Sequence, residues 1–257
     1  MSEGAPLVQL ENVSLSYGLR RVLDAVTLTA QPGEVIGLVG PGGAGKTQLI
    51  KVVATLLIPL RGEVSVDGVR IRRGGGRRLR EVRRRIGMQF QNFALFDSLT
   101  VSDNVAYPIL GHQRRADSET RAAARVRAEA LLGRVGLERT GDLFPSALSG
   151  GMKRRVAVAR ALVARPRLAL FDDPTAGLDP VNSARILELV AREAAGPEQA
   201  VVIASHDLDR LLPLVDRVVV LRKGAVVFDG TPREGRIAED RWVRAFIDQE
   251  GYLGESH

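Results

Sequence analysis

The stretch "EVIGLVGPGGAGKTQLI", residues 34–50, decides the fold class. Residues 34 to 39 form a continuous apolar run ending in glycine, as expected of a parallel strand buried on both faces. "GPGGAGKT", Gly40 to Thr47, then matches G-x-x-x-x-G-K-[ST], and "KTQLIKVVATLL" follows with helical spacing that stops before Pro59. Strand, glycine loop and helix are the context this motif needs. In the loop of Gly40, Pro41, Gly42, Gly43, Ala44 and Gly45 the glycines let backbone N–H groups converge on phosphate oxygens, and the helix N-terminus adds its dipole. Lys46 is placed to reach the β- and γ-phosphates, and the Thr47 hydroxyl to ligate Mg²⁺.

A second stretch, "LFDDPTAGLD" at 170–179, ends another apolar run with two adjacent carboxylates. Burying Asp172 and Asp173 together is costly unless a cation faces them. An Asp-Asp-Pro turn is also ordinary loop chemistry. The phosphate loop supplies the deciding cation. Asp172, first after "LALF", is the expected Mg²⁺ ligand, and Asp173 is expected to face the γ-phosphate and polarise the attacking water.

Around these two stretches the chain alternates strands and helices. "LVQLENVSLSY" and "AVTLTA" read as early strands on either side of the turn-like "GLRR", and "RIGMQF", "LALF" and "AVVIAS" as short buried ones. "VVVLRKGAVVF" reads as a hairpin about Lys223-Gly224. Residues 93 to 165 read as mainly helical, with Ser149 the N-cap of one helix. The expected class is α/β: a P-loop nucleotide-binding core on a mainly parallel sheet, an N-terminal antiparallel β subdomain and an inserted helical subdomain.

The 257 residues suffice for one large domain or two intimate subdomains, and 45% apolar with 26% charged residues suits a soluble globular chain. The absence of cysteine excludes disulfides and thiol catalysis. The start "MSEGAPLVQLENV" lacks the form of a signal peptide, and no apolar run approaches the roughly 18 residues of a membrane span. The net charge of +7 concentrates in "RIRRGGGRRLREVRRR", Arg70 to Arg85. That run reads as a solvated loop entering a helix, or as a contact for anionic headgroups or nucleic acid. It has no interleaved aromatics for base stacking, so no nucleic-acid partner is expected.

Taken in order, these motifs resemble the ATPase subunits of ABC transporters over nearly the whole chain. "LSGGM" (148–152) matches the signature motif, so the resemblance implies that Ser149, Gly150 and Gly151 face the γ-phosphate of ATP held by an opposite subunit. It implies that Gln91 senses Mg²⁺, that Asp179 in "AGLD" contacts the dimer partner, that His206 is the switch histidine, and that Tyr17 stacks on adenine. Asp173, His206 and Lys46 become the catalytic set, with Thr47, Gln91 and Asp172 at the metal and Gln48 beside the phosphates. Two departures stand out. The family normally carries glutamate where Asp173 stands; Gly42 and Gln48 replace a common serine or asparagine and a common second hydroxyl.

The resemblance implies one domain over 1–257. Residues 1–92 and 166–235 would form the nucleotide-binding core with its β subdomain, 93–165 the helical subdomain, and 236–257 a C-terminal helical tail. The implied cofactors are ATP and Mg²⁺, and the implied partners a second copy of the chain and integral-membrane permease subunits. Such a subunit lies peripherally on the cytoplasmic side of the inner (plasma) membrane. "NFALFDSLTVSDNVAYP" (92–108), "LSGGM" and "FDDPTAGLDPV" look most like the Mla/Mce-type ATPases that move phospholipids, which implies a Mce-type substrate-binding partner. Importers of polar amino acids or other small solutes share much of this frame. A soluble ABC ATPase of ribosomes or DNA usually fuses two cores or inserts a long coiled coil, which this chain lacks. A P-loop kinase would need neither LSGG nor the histidine.

Overall fold

Val35–Val39 is buried at every position because it lies inside a sheet covered on both faces. In the computed structural model, which describes residues 5–111, 117–193 and 196–249, ten strands form two sheets. The first joins β1 (Val8–Tyr17), β2 (Arg20–Ala30), β4 (Arg61–Val66) and β5 (Val69–Arg70) in the order β2-β1-β4-β5, all antiparallel. The second has the order β10-β9-β3-β8-β7-β6, with β3 (Val35–Val39), β6 (Ile86–Gln89), β7 (Leu168–Asp172), β8 (Ala200–Ala204) and β9 (Arg217–Arg222) parallel. β10 (Ala225–Gly230) closes one edge antiparallel to β9 through the Lys223-Gly224 turn.

The two-residue period of the strands divides the core. Val35, Val39, Phe171, Val201 and Ile203 pack towards the helical layer. Ile36, Leu38, Leu170, Val202 and Leu221 pack on the other face, against α1 (Lys46–Val53) and the antiparallel sheet. The helical layer contains α3 (Val101–Leu110), α4 (Ser118–Arg134), α5 (Gly150–Leu162) and α6 (Pro180–Glu193), while α2 (Gly76–Arg84) precedes β6. The C-terminal part contributes α7 (Leu208–Leu211), α8 (Pro232–Arg236) and α9 (Arg241–Ile247); residues 250–257 of the expected tail lie outside the described residues, as do 112–116 of the expected helical subdomain. Side-chain caps start α3, α4 and α5 in the helical layer: Thr100 accepts from the Asp103 N–H at 3.2 Å, Asp117 from Thr120 at 2.7 Å and Ser149 from Met152 at 3.2 Å. α5 lies hard against the sheet, since a Cβ on Gly87 of β6 would fall 2.0 Å from the Ala161 carbonyl oxygen.

Two boundaries differ from the sequence reading. α1 ends at Val53 rather than Leu57, because Thr55 turns to φ 61 and is held there by Arg83, which donates to its hydroxyl at 3.0 Å and its carbonyl at 2.7 Å. The "GLRR" turn shrinks to Gly18-Leu19, with β2 beginning at Arg20. Asp67, in the tight turn between β4 and β5, ties the two sheets together: it accepts from Arg85 and from Arg167, each at 2.6 Å. Among the described residues no helix is long and apolar enough to cross a membrane.

Candidate functional site

Strands β3, β7 and β8 run parallel side by side, so their carboxyl ends open on one crevice, where ligands bind in such sheets. β3 delivers the glycine loop, β7 delivers Asp172 and Asp173, and β8 delivers Ser205 and His206. Together with Gln48 of α1 and Gln91 after β6 they line a polar cavity of about 200 Å³.

The loop is shaped by two glycines that nothing else can replace. Gly40 has φ 148, and a Cβ there would fall 2.2 Å from the Leu221 carbonyl oxygen. Gly45 has φ 108, and its Cβ would fall 2.9 Å from the Val22 carbonyl oxygen. Gly42 is different: a Cβ there meets nothing within 4 Å, so the backbone would accept a side chain. α1 starts directly from Gly45 with no side-chain cap, which leaves its first N–H groups aimed at the cavity.

Lys46 is buried and folds back on the loop, donating to the carbonyls of Gly40 at 2.6 Å and Pro41 at 3.0 Å. Burial lowers its pKa, and the charges of Asp173 and Asp172 raise it in opposition. The Thr47 hydroxyl donates to Asp172 Oδ1 at 3.1 Å. Burial pushes the Asp172 carboxyl above its ordinary pKa; the Thr47 hydroxyl pulls it back, and the neighbouring Asp173 charge raises it again. Asp173 takes a left-handed φ of 53, and its N–H donates to the Ala204 carbonyl at 2.9 Å, carrying the β7–β8 ladder one residue past Asp172. His206 stands exposed at the mouth. Desolvation holds its pKa below the usual value, the Lys46 ammonium adds to that, and Asp173 and Asp172 oppose it.

The oxygens of Thr47 and Asp172 suit a divalent cation. Two cis ligands of an octahedral Mg²⁺ at 2.0–2.1 Å lie about 3 Å apart, which is the spacing observed. Among the described residues no group of three or more His, Cys, Asp or Glu could hold a metal, so an ion on Thr47 and Asp172, with Gln91 also lining the cavity, would draw the rest of its shell from phosphate and water.

The structure does not bring the remaining sequence-predicted residues to this cavity. Tyr17 is exposed at the end of β1. Ser149 and Gly150 are exposed at the start of α5, and a Cβ on Gly151 would meet Leu178 at 3.1 Å, so this turn packs against the 176–179 loop. Asp179 caps α6, accepting from the N–H groups of Val181 at 3.1 Å and Asn182 at 3.0 Å. Two residues absent from the sequence reading also matter. Ser205 lines the cavity and its hydroxyl accepts from the Asp207 N–H at 3.0 Å. Arg154 of α5 stacks over Phe93, its guanidinium 5.0 Å from the ring centroid.

A family model described as "ABC transporter" matches residues 23–176. The intermembrane phospholipid transport system ATP-binding protein MlaF of Haemophilus influenzae is 36% identical over 244 residues, covering 95% of this chain and 91% of that protein. The phosphonates import ATP-binding protein PhnC 1 of Rhodopseudomonas palustris is 40% identical over 248 residues, covering 95% and 88%. Among solved structures, the dimeric ATP-binding cassette MJ0796 in a post-hydrolysis state bound to ADP and Pi superposes with a TM-score of 0.80 at 32% identity, covering 87% of this chain and 98% of that one.

Proposed function

Since this chain belongs to the ABC transporter family, as one of its ATP-binding, ATP-hydrolysing subunits, we propose that it powers phospholipid movement through a separate membrane permease. In this reading the loop N–H groups and Lys46 hold the phosphates, Thr47 and Asp172 hold Mg²⁺, and Gln91 stands beside it. The ion would neutralise charge building on the phosphate oxygens. Asp173 accepts a proton from the attacking water, His206 hydrogen-bonds the γ-phosphate, and Tyr17 stacks on the adenine.

The observation that carries the reading is the pairing of Thr47 and Asp172 at 3.1 Å beneath an uncapped helix N-terminus. Ser149, Gly150, Gly151 and Asp179 lie outside that cavity, which supports their service to the cavity of a second copy. Such a pair would form two shared sites. An apolar groove of about 410 Å³ beside β6, floored by Met88, Phe90, Phe96 and Tyr107 and rimmed by Arg83 and Arg84, supports docking of a permease helix. The phospholipid assignment is supported by similarity to MlaF along almost the full length of both chains. A phosphonate or other small-solute importer is the second reading, favoured by the 40% identity to PhnC 1.

Affinity isolation of the Asp173→Asn protein from detergent-solubilised membranes, with the partners identified by mass spectrometry, tests both readings. A permease with a Mce-type subunit, whose ATPase is stimulated by phospholipid, supports the first. A permease with a soluble solute-binding subunit, stimulated by a phosphonate, refutes it in favour of the second.

A further inference from the structure

Three arginines of α5 point into the protein, and they do different work. Arg155 donates to the carbonyls of Val135 at 3.0 Å and Gly136 at 2.9 Å. Arg160, buried, donates to the carbonyls of Ala94 at 2.6 Å and Phe93 at 2.7 Å. Each guanidinium satisfies main-chain oxygens, as a structural arginine should. Arg154 makes no such bond among the described residues; its Nε, like that of Arg155, is buried without a partner, so what sets it apart is that its terminal nitrogens bond no carbonyl. Its guanidinium lies over the Phe93 ring, and a Cβ on Gly177 would come 3.5 Å from its Nη1.

The surroundings of Arg154 explain what that unspent cation faces. Burial lowers its pKa and the charge of Asp173 opposes that, although among the described residues no carboxylate comes within ion-pair distance. Gly177 directly follows Ala176, whose N–H donates to the Asp173 carbonyl at 3.4 Å and closes the turn that begins there. Phe93 stands two residues after Gln91, in a pair of left-handed residues (Phe93 φ 54, Ala94 φ 50) that Arg160 clamps. One side chain therefore borders the start of α5, the 173–177 turn and the segment after Gln91. A charged group left under-bonded among three separate segments is expensive unless it has a further use.

We propose that Arg154 is a positioning residue for Asp173. Its charge and its bulk hold the 173–177 turn in register with α5, and stacking on Phe93 sets where that charge sits. Arg160, which bonds the carbonyls of Phe93 and Ala94, fixes the ring on which Arg154 stacks. The inference rests on the proposed role of Asp173.

The test is steady-state ATPase kinetics on full-length Arg154→Gln, Arg154→Lys, Phe93→Leu and Asp173→Asn proteins, with ATP affinity and Tm measured on each. Displacement of a reacting group by about 1 Å costs on the order of 100-fold. Arg154→Gln is expected to lower kcat by roughly 10-fold or more at unchanged ATP affinity. Arg154→Lys should recover most of that loss by restoring the charge, and Phe93→Leu should fall between. A merely structural arginine would instead give equal losses for Gln and Lys, accompanied by a lower Tm, and that result overturns the inference. Wild-type kcat in Arg154→Gln also overturns it when Asp173→Asn is inactive. If Asp173→Asn itself turns over normally, the reading of Asp173 fails first and the inference falls with it.

Discussion

Lengthening the acid at position 173 is the most informative single change. The N–H of Asp173 is bonded to Ala204 at 2.9 Å, one step beyond the last β7–β8 pair, so the main chain cannot advance toward the cavity without breaking the ladder. The reach of the carboxylate is therefore set by its side chain alone. Glutamate adds one methylene, roughly 1.5 Å. Misplacement by about 1 Å costs on the order of 100-fold, or about 2.7 kcal/mol, in rate. Asp173→Glu is accordingly expected to raise kcat, by up to about 100-fold if reach alone limits turnover. The φ of 53 sets the opposing cost, because short Asp and Asn tolerate left-handed backbone better than longer side chains. A penalty near 1 kcal/mol should lower Tm by about 2–4 °C in a chain of this size. Asp173→Asn keeps the shape and removes the charge, so it should lose at least about 100-fold in kcat with ATP binding intact. The assay is phosphate release under saturating ATP and Mg²⁺, with nucleotide affinity measured by fluorescence. Near-normal turnover by Asp173→Asn would reduce Asp173 to a turn residue. Slower turnover by the well-folded glutamate variant would refute the argument from reach.

Lys46→Ala should abolish ATP binding or turnover, whereas Ser149→Arg should bind ATP normally and fail to hydrolyse it; normal hydrolysis by the latter would sink the assignment of 149–151 to a partner's site. The His206 imidazole, held below the ordinary histidine pKa of about 6.5, should titrate by NMR below that value without nucleotide. Because folding depresses this pKa, it should destabilise the protein as pH falls below about 6.5, and a titration above that value would contradict the site electrostatics. Arg72, Arg78 and Arg80 have no carboxylate partner among the described residues, unlike Arg77, which pairs with Glu81 at 3.1 Å. Reversing those three to Glu should weaken binding to anionic vesicles at low salt by up to about 1 kcal/mol each, and unchanged binding would leave them a solvated surface.

Much of this architecture could be read in the sequence because burial on both faces leaves a plain signal. β3, β7 and β8 are uninterrupted apolar runs, and each ends at a residue of the site, so the strand ends marked Gly40, Asp172 and His206 together. β4 and β5 escaped notice. Their strands are short and half polar, with Arg61, Glu63 and Arg70 facing outward, and only Val64, Val66 and the Asp67-Gly68 turn betray a hairpin. The end of α1 was hidden because a contact 28 residues away, Arg83 to Thr55, overrides the local helical spacing. Arg154 could not be found for the same reason. "KRRVAVARAL" shows three arginines of one helix, and only the fold shows that two bond carbonyls while the third stacks on Phe93 beside Gly177.

The dimensions of the cavity bear on the proposal that a second copy completes it. A cavity of about 200 Å³ is smaller than the roughly 300–1,000 Å³ of pockets that enclose a ligand. It suits the phosphate end of a nucleotide and little more. A nucleotide held there by Lys46 and the loop would leave its γ-phosphate open to water at the mouth beside His206. The face bearing Ser149, Gly150 and Asp179 has the complementary problem. It presents an exposed turn at a helix start, beside the 176–179 loop and away from the cavity of its own chain. Bringing that face of a second copy over the mouth would solve both at once, since the added N–H groups and the exclusion of water would each strengthen electrostatic stabilisation of the transferring phosphoryl group. Asp173 and Arg154 lie where the two halves of one chain adjoin, the first lining the phosphate cavity and the second rising from the exposed turn.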